Sequence, residues 1–171
     1  MPLNVPVGHA AGVRADDDGA NSDLGPELDR RLPAESGAPV TTRVLVVDDN
    51  EDNRRIAEEI LKLRGFEVET AADGPLALEA IERRRPDAVL LDVMMPSMSG
   101  MEVLDRIKAN PQSATIPVIM VTAKAGDEDV LAGYKFGADY YITKPFTPRQ
   151  LLYGLGLVLG REFPGAEGGG R

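Results

Sequence analysis

The sequence predicts an α/β fold in which a doubly wound parallel sheet of five strands carries helices on both faces. Three observations lead there. Between residues 43 and 160, short β-branched runs alternate with helical periods, a repeating βα pattern. Five such units joined by right-handed crossovers leave few arrangements other than a parallel sheet covered on both sides. All eight aromatic residues, 4 Phe and 4 Tyr, fall between Phe66 and Phe163, whereas residues 1–42 hold 5 Pro, 5 Gly and 7 acids with no sustained period. The fold is therefore expected in 43–160, behind a disordered arm at 1–42 and ahead of a flexible glycine-rich tail at 161–171.

Arg43-Val-Leu-Val-Val47 reads as a buried strand by its continuous apolar run, ended by Asp48-Asp49-Asn50. Asn50 caps a helix that runs to about Arg64, with Ile56, Ile60 and Leu63 as its apolar stripe and Gly65 as its stop. Phe66 to Ala72 is a weaker second strand in which Phe66, Val68 and Thr70 alternate with acids. Asp73-Gly74-Pro75 opens a helix carrying Leu76, Ala77, Ala80 and Ile81, and Arg83-Arg84-Arg85 places positive charge at its C-terminal dipole before Pro86. A triplet there reads as a cap before it reads as a nucleic-acid patch. Asp87 to Leu91 is a third strand ending in Asp92, followed by a Met/Pro/Gly loop and a helix with Val103, Leu104 and Ile107. Ile116 to Val121 is a fourth strand ending in Thr122, residues 127–136 a fourth helix, and Asp139 to Thr143 the fifth strand. Thr147-Pro148 caps and opens a last helix that runs to about Gly160.

Composition narrows the chemistry. With 28 acids against 19 bases the formal net charge is −9, which argues against a nucleic-acid or anionic-lipid partner. Zero cysteine removes disulfides, thiolate metal sites and a Cys nucleophile, and fits a cytoplasmic home. No apolar run reaches the roughly 18 residues of a membrane span, and no signal peptide is apparent. His9, the one histidine, lies in the arm, so catalysis by a triad and a multi-histidine metal site are both unsupported. Leu24, Leu28 and Leu32 sit at helical spacing in that arm, which leaves open a solvated tail or a short partner-binding helix.

In open α/β sheets chemistry gathers past the C-terminal ends of the strands. Strand one ends in Asp48-Asp49, strand three in Asp92 and strand four in Thr122, while strand five runs into Lys144-Pro145. Singly, each residue has a structural explanation as a cap, a turn or a surface charge. Together, acids that close repel one another unless a cation is shared, and oxygen ligands favour Mg²⁺, with Mn²⁺ as the substitute.

Val44-Leu-Val-Val-Asp-Asp-Asn50, Val89-Leu-Leu-Asp92-Val-Met-Met95-Pro96 with Gly100, Pro117-Val-Ile-Met-Val-Thr122-Ala123, and Gly137-Ala-Asp-Tyr-Tyr141-Ile-Thr-Lys144-Pro145-Phe146 occur in order. The set resembles the receiver domain of two-component response regulators over nearly all of 43–160. The resemblance implies a flavodoxin-like (βα)5 fold with strand order 2-1-3-4-5. It makes Asp92 the phosphoacceptor, fed from a phosphohistidine on a sensor histidine kinase or a histidine phosphotransfer protein. Asp49 and Asp92, with the backbone carbonyl of Met94, match its metal ligands, and Asp48 matches the acid that reaches the metal through water. Lys144 matches the cation that pairs with the phosphoryl oxygens, Thr122 the hydroxyl that binds them, and Tyr141 the aromatic whose rotamer follows. Lys144-Pro145 is cis in most of the family.

Three positions depart from the commonest pattern. Ser99, not an acid, precedes Gly100; Met94 and Lys124, two residues beyond Asp92 and Thr122, offer no general base for hydrolysis, which implies a long-lived phosphoryl group. The last helix carries no charge from Leu151 to Gly160, which leaves open a face covered by the chain's own tail or a docking face. An aspartate-nucleophile phosphatase requires a second acid two residues after the nucleophile, and neither Asp92 nor Asp48 has one. The expectation is therefore a stand-alone phosphoacceptor switch rather than an enzyme. Its output is a downstream protein, or a second copy, at the face made by the fourth helix, fifth strand and last helix. The alternatives are a phosphorylation-independent binding module and a receiver cut from a longer hybrid protein.

Overall fold

The computed structural model describes residues 40–123 and 137–165. Within them lie strands β1 (Arg43–Val47), β2 (Glu67–Ala71), β3 (Ala88–Asp92), β4 (Val118–Thr122) and β5 (Tyr140–Thr143), with helices α1 (Glu51–Lys62), α2 (Gly74–Arg83), α3 (Gly100–Ala109) and α4 (Pro148–Leu159). The strands form one sheet in the order β2-β1-β3-β4-β5, and every pairing is parallel. The helix expected at 127–136 and residues 1–39 of the arm fall outside the described residues.

Strand alternation divides the interior into two layers. Leu45, Val47, Val89, Leu91, Val118 and Met120 point to one face, where Ala77 and Ile81 of α2 and Val103, Leu104 and Ile107 of α3 cover them. Val44, Val46, Ala88, Leu90, Ile119 and Val121 point to the other, under Ala57 and Leu61 of α1 and Leu151, Leu152 and Leu155 of α4. β1, β3 and β4 are buried along their whole length because helices lie on both sides of them, which explains their unbroken apolar runs. Each such Leu, Ile or Val contributes about 1.5–3 kcal/mol by leaving water.

The helix boundaries follow their caps. Asn50 accepts from the amide of Asn53, Asp73 from Leu76, Ser99 from Glu102 and Thr147 from Gln150, the last two completed as capping boxes by Glu102 and Gln150. α2 ends two residues earlier than its basic triplet suggested, because Arg84 is already extended ahead of Pro86. The triplet serves structure: Arg83 pairs with Glu69, Arg84 with Glu67, and Arg85 donates to the Gln112 carbonyl and the Thr115 hydroxyl.

The stripe expected on α1 needs correcting. Ala57 and Leu61 are buried, Ile60 is packed at the edge, and Ile56 and Leu63 are 51% and 84% exposed. At 100° per residue, Ala57 and Leu61 point roughly a third of a turn away from the Ile56–Leu63 line, so α1 rests on its small alanine and leaves two large side chains outside.

α4 lies close on the sheet because Gly154 faces the ring of Tyr140, where a Cβ would stand 2.9 Å from Cδ1. Gly160 then takes the left-handed conformation at φ 63° and turns the chain back. The residues after it pack on the same layer: the Arg161 guanidinium donates to Thr42 Oγ1 at 3.2 Å, Phe163 meets Phe66 with ring centroids 4.9 Å apart, and Arg64 donates to the Pro164 carbonyl. Val158, Leu159 and Phe163 all pack against that layer, while Tyr153 and Leu157 of α4 are exposed. Phe163→Ala is expected to cost about 1–2 kcal/mol, read as a lowered urea midpoint with an unchanged slope; no change would show that the tail contributes nothing to the fold.

Candidate functional site

Four strand ends converge on one edge of the sheet. Asp48 directly follows β1, Asp92 is the last residue of β3, Thr122 is the last residue of β4, and Lys144 directly follows β5. Pairing sets their heights: Asp92 lies beside Val121, Thr122 beside Thr143, and the Lys144 amide donates to the Thr122 carbonyl at 2.7 Å.

Asp48 and Asp92 are each 5% exposed and Thr122 is 3% exposed, whereas Asp49 is exposed. One carboxylate oxygen from each of Asp48, Asp49 and Asp92 lies within 4.8 Å of the others. Lys144 stands between the two buried acids, its Nζ 2.5 Å from Asp48 Oδ2 and 3.4 Å from Asp92 Oδ1. The Lys144-Pro145 peptide is cis. Asp48 also accepts from the Asn50 amide at Oδ1 (2.9 Å) and from the Arg54 guanidinium at its carbonyl (2.7 Å). Asp92 Oδ1 accepts from the Met94 amide at 3.3 Å.

Burial, and then the negative charge of Asp48, push the Asp92 carboxyl up from 3.8 to about 6, against the attraction of Lys144 and the Met94 amide. A buried acid with one ammonium shared between it and its neighbour is under-compensated in charge. That is the electrostatic state a divalent cation relieves, and three clustered carboxylates are the hard oxygen donors that Mg²⁺ or Mn²⁺ takes. The residues present therefore fit such an ion. Because the cation must displace the Asp92 proton, its apparent affinity is expected to fall about tenfold per pH unit below about pH 6 and to level off above it. Isothermal titration with Mg²⁺ between pH 5 and 8 checks this; a flat profile would contradict it.

The loop after β3 keeps the edge open. Met94 is 68% exposed, while Met95 is buried in the core beneath it. Gly100 donates its amide to the Val93 carbonyl at 2.9 Å and passes directly against the Asp92 carbonyl oxygen, where a Cβ would collide. Tyr141 is half-buried on the α2–α3 side, with its hydroxyl 4.0 Å from the sulfur of Met101. A cavity of about 250 Å³ opens beside Lys144, lined by Asn53, Ile56, Pro145 and Phe146.

Of the residues singled out in the sequence, Asp48, Asp49, Asp92 and Lys144 share one site, with Thr122 and Met94 adjacent in the chain and sheet and Tyr141 one strand further out. Lys124 lies outside the described residues. Two features escaped the sequence reading: the Arg54 bond to Asp48, and Ile56, which faces the cavity instead of the core. The signal for Ile56 was present in Ala57, one residue on, whose small side chain marks the line of closest approach.

A family model described as the response regulator receiver domain matches residues 44–155. The probable transcriptional regulatory protein TcrX of Mycobacterium tuberculosis is 42% identical over 125 residues, 73% of this chain and 52% of TcrX. The phosphate regulon transcriptional regulatory protein PhoB of Pseudomonas aeruginosa is 41% identical over 122 residues, 71% of this chain and 53% of PhoB. The chain thus spans about half the length of these curated relatives. Among solved structures, the chemotaxis protein CheY4 of Vibrio cholerae superposes with a TM-score of 0.68 at 37% identity, covering 70% of this chain and 99% of CheY4. No helix among the described residues is long and apolar enough to cross a membrane. The strand order, the acid-lined sheet edge and the match over most of the folded region agree, and the chain belongs to the response regulator receiver domain family.

Proposed function

We propose that the chain accepts a phosphoryl group on Asp92 from a phosphohistidine of a sensor histidine kinase or histidine phosphotransfer protein, in a Mg²⁺-dependent reaction. The observation that carries this reading is Asp92 itself: a carboxylate 5% exposed at a strand end, 3.4 Å from an ammonium and clustered with two further acids. An Asp92 oxygen attacks phosphorus, the P–N bond to imidazole breaks, the imidazole leaves with a proton, and an acyl phosphate remains. Charge spreads over the equatorial oxygens in the loose transition state, so catalysis reduces to positioning and neutralisation. Asp49, Asp92 and the Met94 carbonyl would hold Mg²⁺, with Asp48 reaching it through water, and the ion would supply part of that positive charge. Lys144 is placed to leave Asp48 for a phosphoryl oxygen, and the Thr122 hydroxyl, at the end of the adjacent strand, to take another.

The reading continues to the output. Thr122 moves toward the phosphoryl group, Tyr141 follows it, and the face around β5 and α4 changes its packing, which requires only a few kcal/mol of differential binding by a partner. Tyr153 and Leu157, in the stretch of α4 that carries no charge after Arg149, supply apolar area there for a downstream protein or a second copy. Nucleic acid has no part in this proposal, because the arginines of the α2 triplet are already engaged within the domain. With exposed Met94 offering no general base, the phosphoryl group outlasts minutes without a phosphatase.

The test is transfer of label from a phosphohistidine-bearing phosphotransfer protein in Mg²⁺. A hydroxylamine-labile label on this chain, prevented by chelation, is expected; no transfer from any donor would overturn the reading and leave a phosphorylation-independent binding module. A second reading, in which the receiver serves a longer regulator, is favoured by TcrX and PhoB, where the aligned stretch is 52% and 53% of the length.

A further inference from the structure

We infer that Arg54 is a positioning residue for the cation site, a role that rests on the reading of Asp48, Asp49 and Asp92 as its acids. Its guanidinium reaches back from the first turns of α1 and donates from Nη1 to the carbonyl oxygen of Asp48 at 2.7 Å. That carbonyl belongs to the peptide plane shared with Asp49, so holding it restrains the backbone from which the Asp49 side chain starts. Asp48 needs little such help: its carboxylate is buried and held by the Asn50 amide and Lys144. Asp49 differs, because it is exposed and no side chain among the described residues holds its carboxylate. Its placement depends on the backbone, and Arg54 holds that backbone.

The root of Arg54 is itself rigid. Its amide donates to the Asn50 carbonyl at 3.1 Å, and the Asn50 side chain caps Asn53 next to it. Asn50, Arg54 and the Asp48–Asp49 peptide therefore close a hydrogen-bonded ring between the end of β1 and the start of α1. A planar guanidinium aimed at one acceptor loses less freedom per bond than an ammonium on a flexible stem, so lysine is an incomplete substitute.

Mn²⁺ binding, followed by the electron paramagnetic resonance of the free ion, tests this on the full chain as wild type, Arg54→Met and Arg54→Lys. Thermal melts in metal-free buffer run alongside. Arg54→Met is expected to raise the Mn²⁺ dissociation constant about tenfold, the scale of losing an outer-shell partner, with Arg54→Lys recovering part of it. Both variants are expected to melt within a few degrees of wild type. Unchanged binding by Arg54→Met beside a lowered melt would reduce Arg54 to a structural contact and overturn the inference. Tighter binding would overturn it too, by showing that the guanidinium competes with the ion. A wild type that binds no Mn²⁺ would overturn the underlying reading of the three acids, and this inference with it. If Arg54→Met fails to fold, Arg54→Lys alone decides, because weakened binding with an intact melt is expected only of a positioning role.

Discussion

Asp92→Asn is expected to melt several degrees above the wild type in metal-free buffer at pH 7. Asp92 titrates at about 6 in the folded chain and near 3.8 when unfolded, so between those values the folded state holds the extra proton. Stability therefore falls as pH rises through that window, and the full deficit is present above about pH 6. A shift of this size corresponds to roughly 3 kcal/mol at most, with the attraction of Lys144 already counted in it, and the expected gain is about 1–3 kcal/mol. The difference should close as the pH falls to about 4, where Asp92 is already neutral in the folded wild type. Saturating Mg²⁺ should narrow the gap at pH 7 by stabilising the wild type through binding. Melting curves at pH 4 and 7, with and without Mg²⁺, check all three; a variant less stable than wild type at pH 7 would show that the site is not strained by its charge.

Gly100→Ala is expected to be the most damaging single methyl on the edge. The added carbon would run into the Asp92 carbonyl oxygen, with Asp92 C at 2.8 Å and Val93 Cα at 2.9 Å, and all three are backbone atoms. Neither side can yield by rotating a side chain: β3 is held by ladders on both sides and α3 by its capping box. A loss of about 3 kcal/mol or more follows, and Asp92 is displaced from Lys144 in whatever remains folded. Gly74→Ala serves as the contrast, because its obstructions are side-chain atoms, the Met98 sulfur at 2.7 Å and Val103 Cγ2 at 2.8 Å, and not backbone, so a smaller loss is expected there. Urea titrations that rank the two equally, or find Gly100→Ala as stable as wild type, would contradict the account of this turn.

The sheet and its acid-lined edge were legible because both are written in local pattern. Val44–Val47 and Val89–Leu91 are apolar without interruption, which happens when both faces of a strand are covered, and the polar residue that ends each run stands in the carboxylate cluster. What was illegible depends on how surfaces meet. Ile56, Ile60 and Leu63 form the larger stripe on α1, yet the helix sits on Ala57 and Leu61, because approach distance and not total apolar area set its rotation. The bond from Arg54 to a main-chain carbonyl leaves no trace in residue type. The packing of Phe163 on Phe66 joins residues nearly a hundred positions apart, and the glycines that follow point the reading toward a loose tail. Lys144 was assigned by resemblance to phosphoryl oxygens; in the fold it rests closer to Asp48 than to Asp92, a partner that only the three-dimensional edge displays.

Phosphorylation of Asp92 is read directly from the intact mass of the protein after incubation with acetyl phosphate. Wild type and Asp92→Asn are compared, each with Mg²⁺ and with chelator. One phosphoryl adduct is expected on the wild type in Mg²⁺, none with chelator, and none on Asp92→Asn in either condition. An adduct of equal amount on Asp92→Asn, or one on the wild type that ignores Mg²⁺, would contradict Mg²⁺-dependent phosphorylation of Asp92.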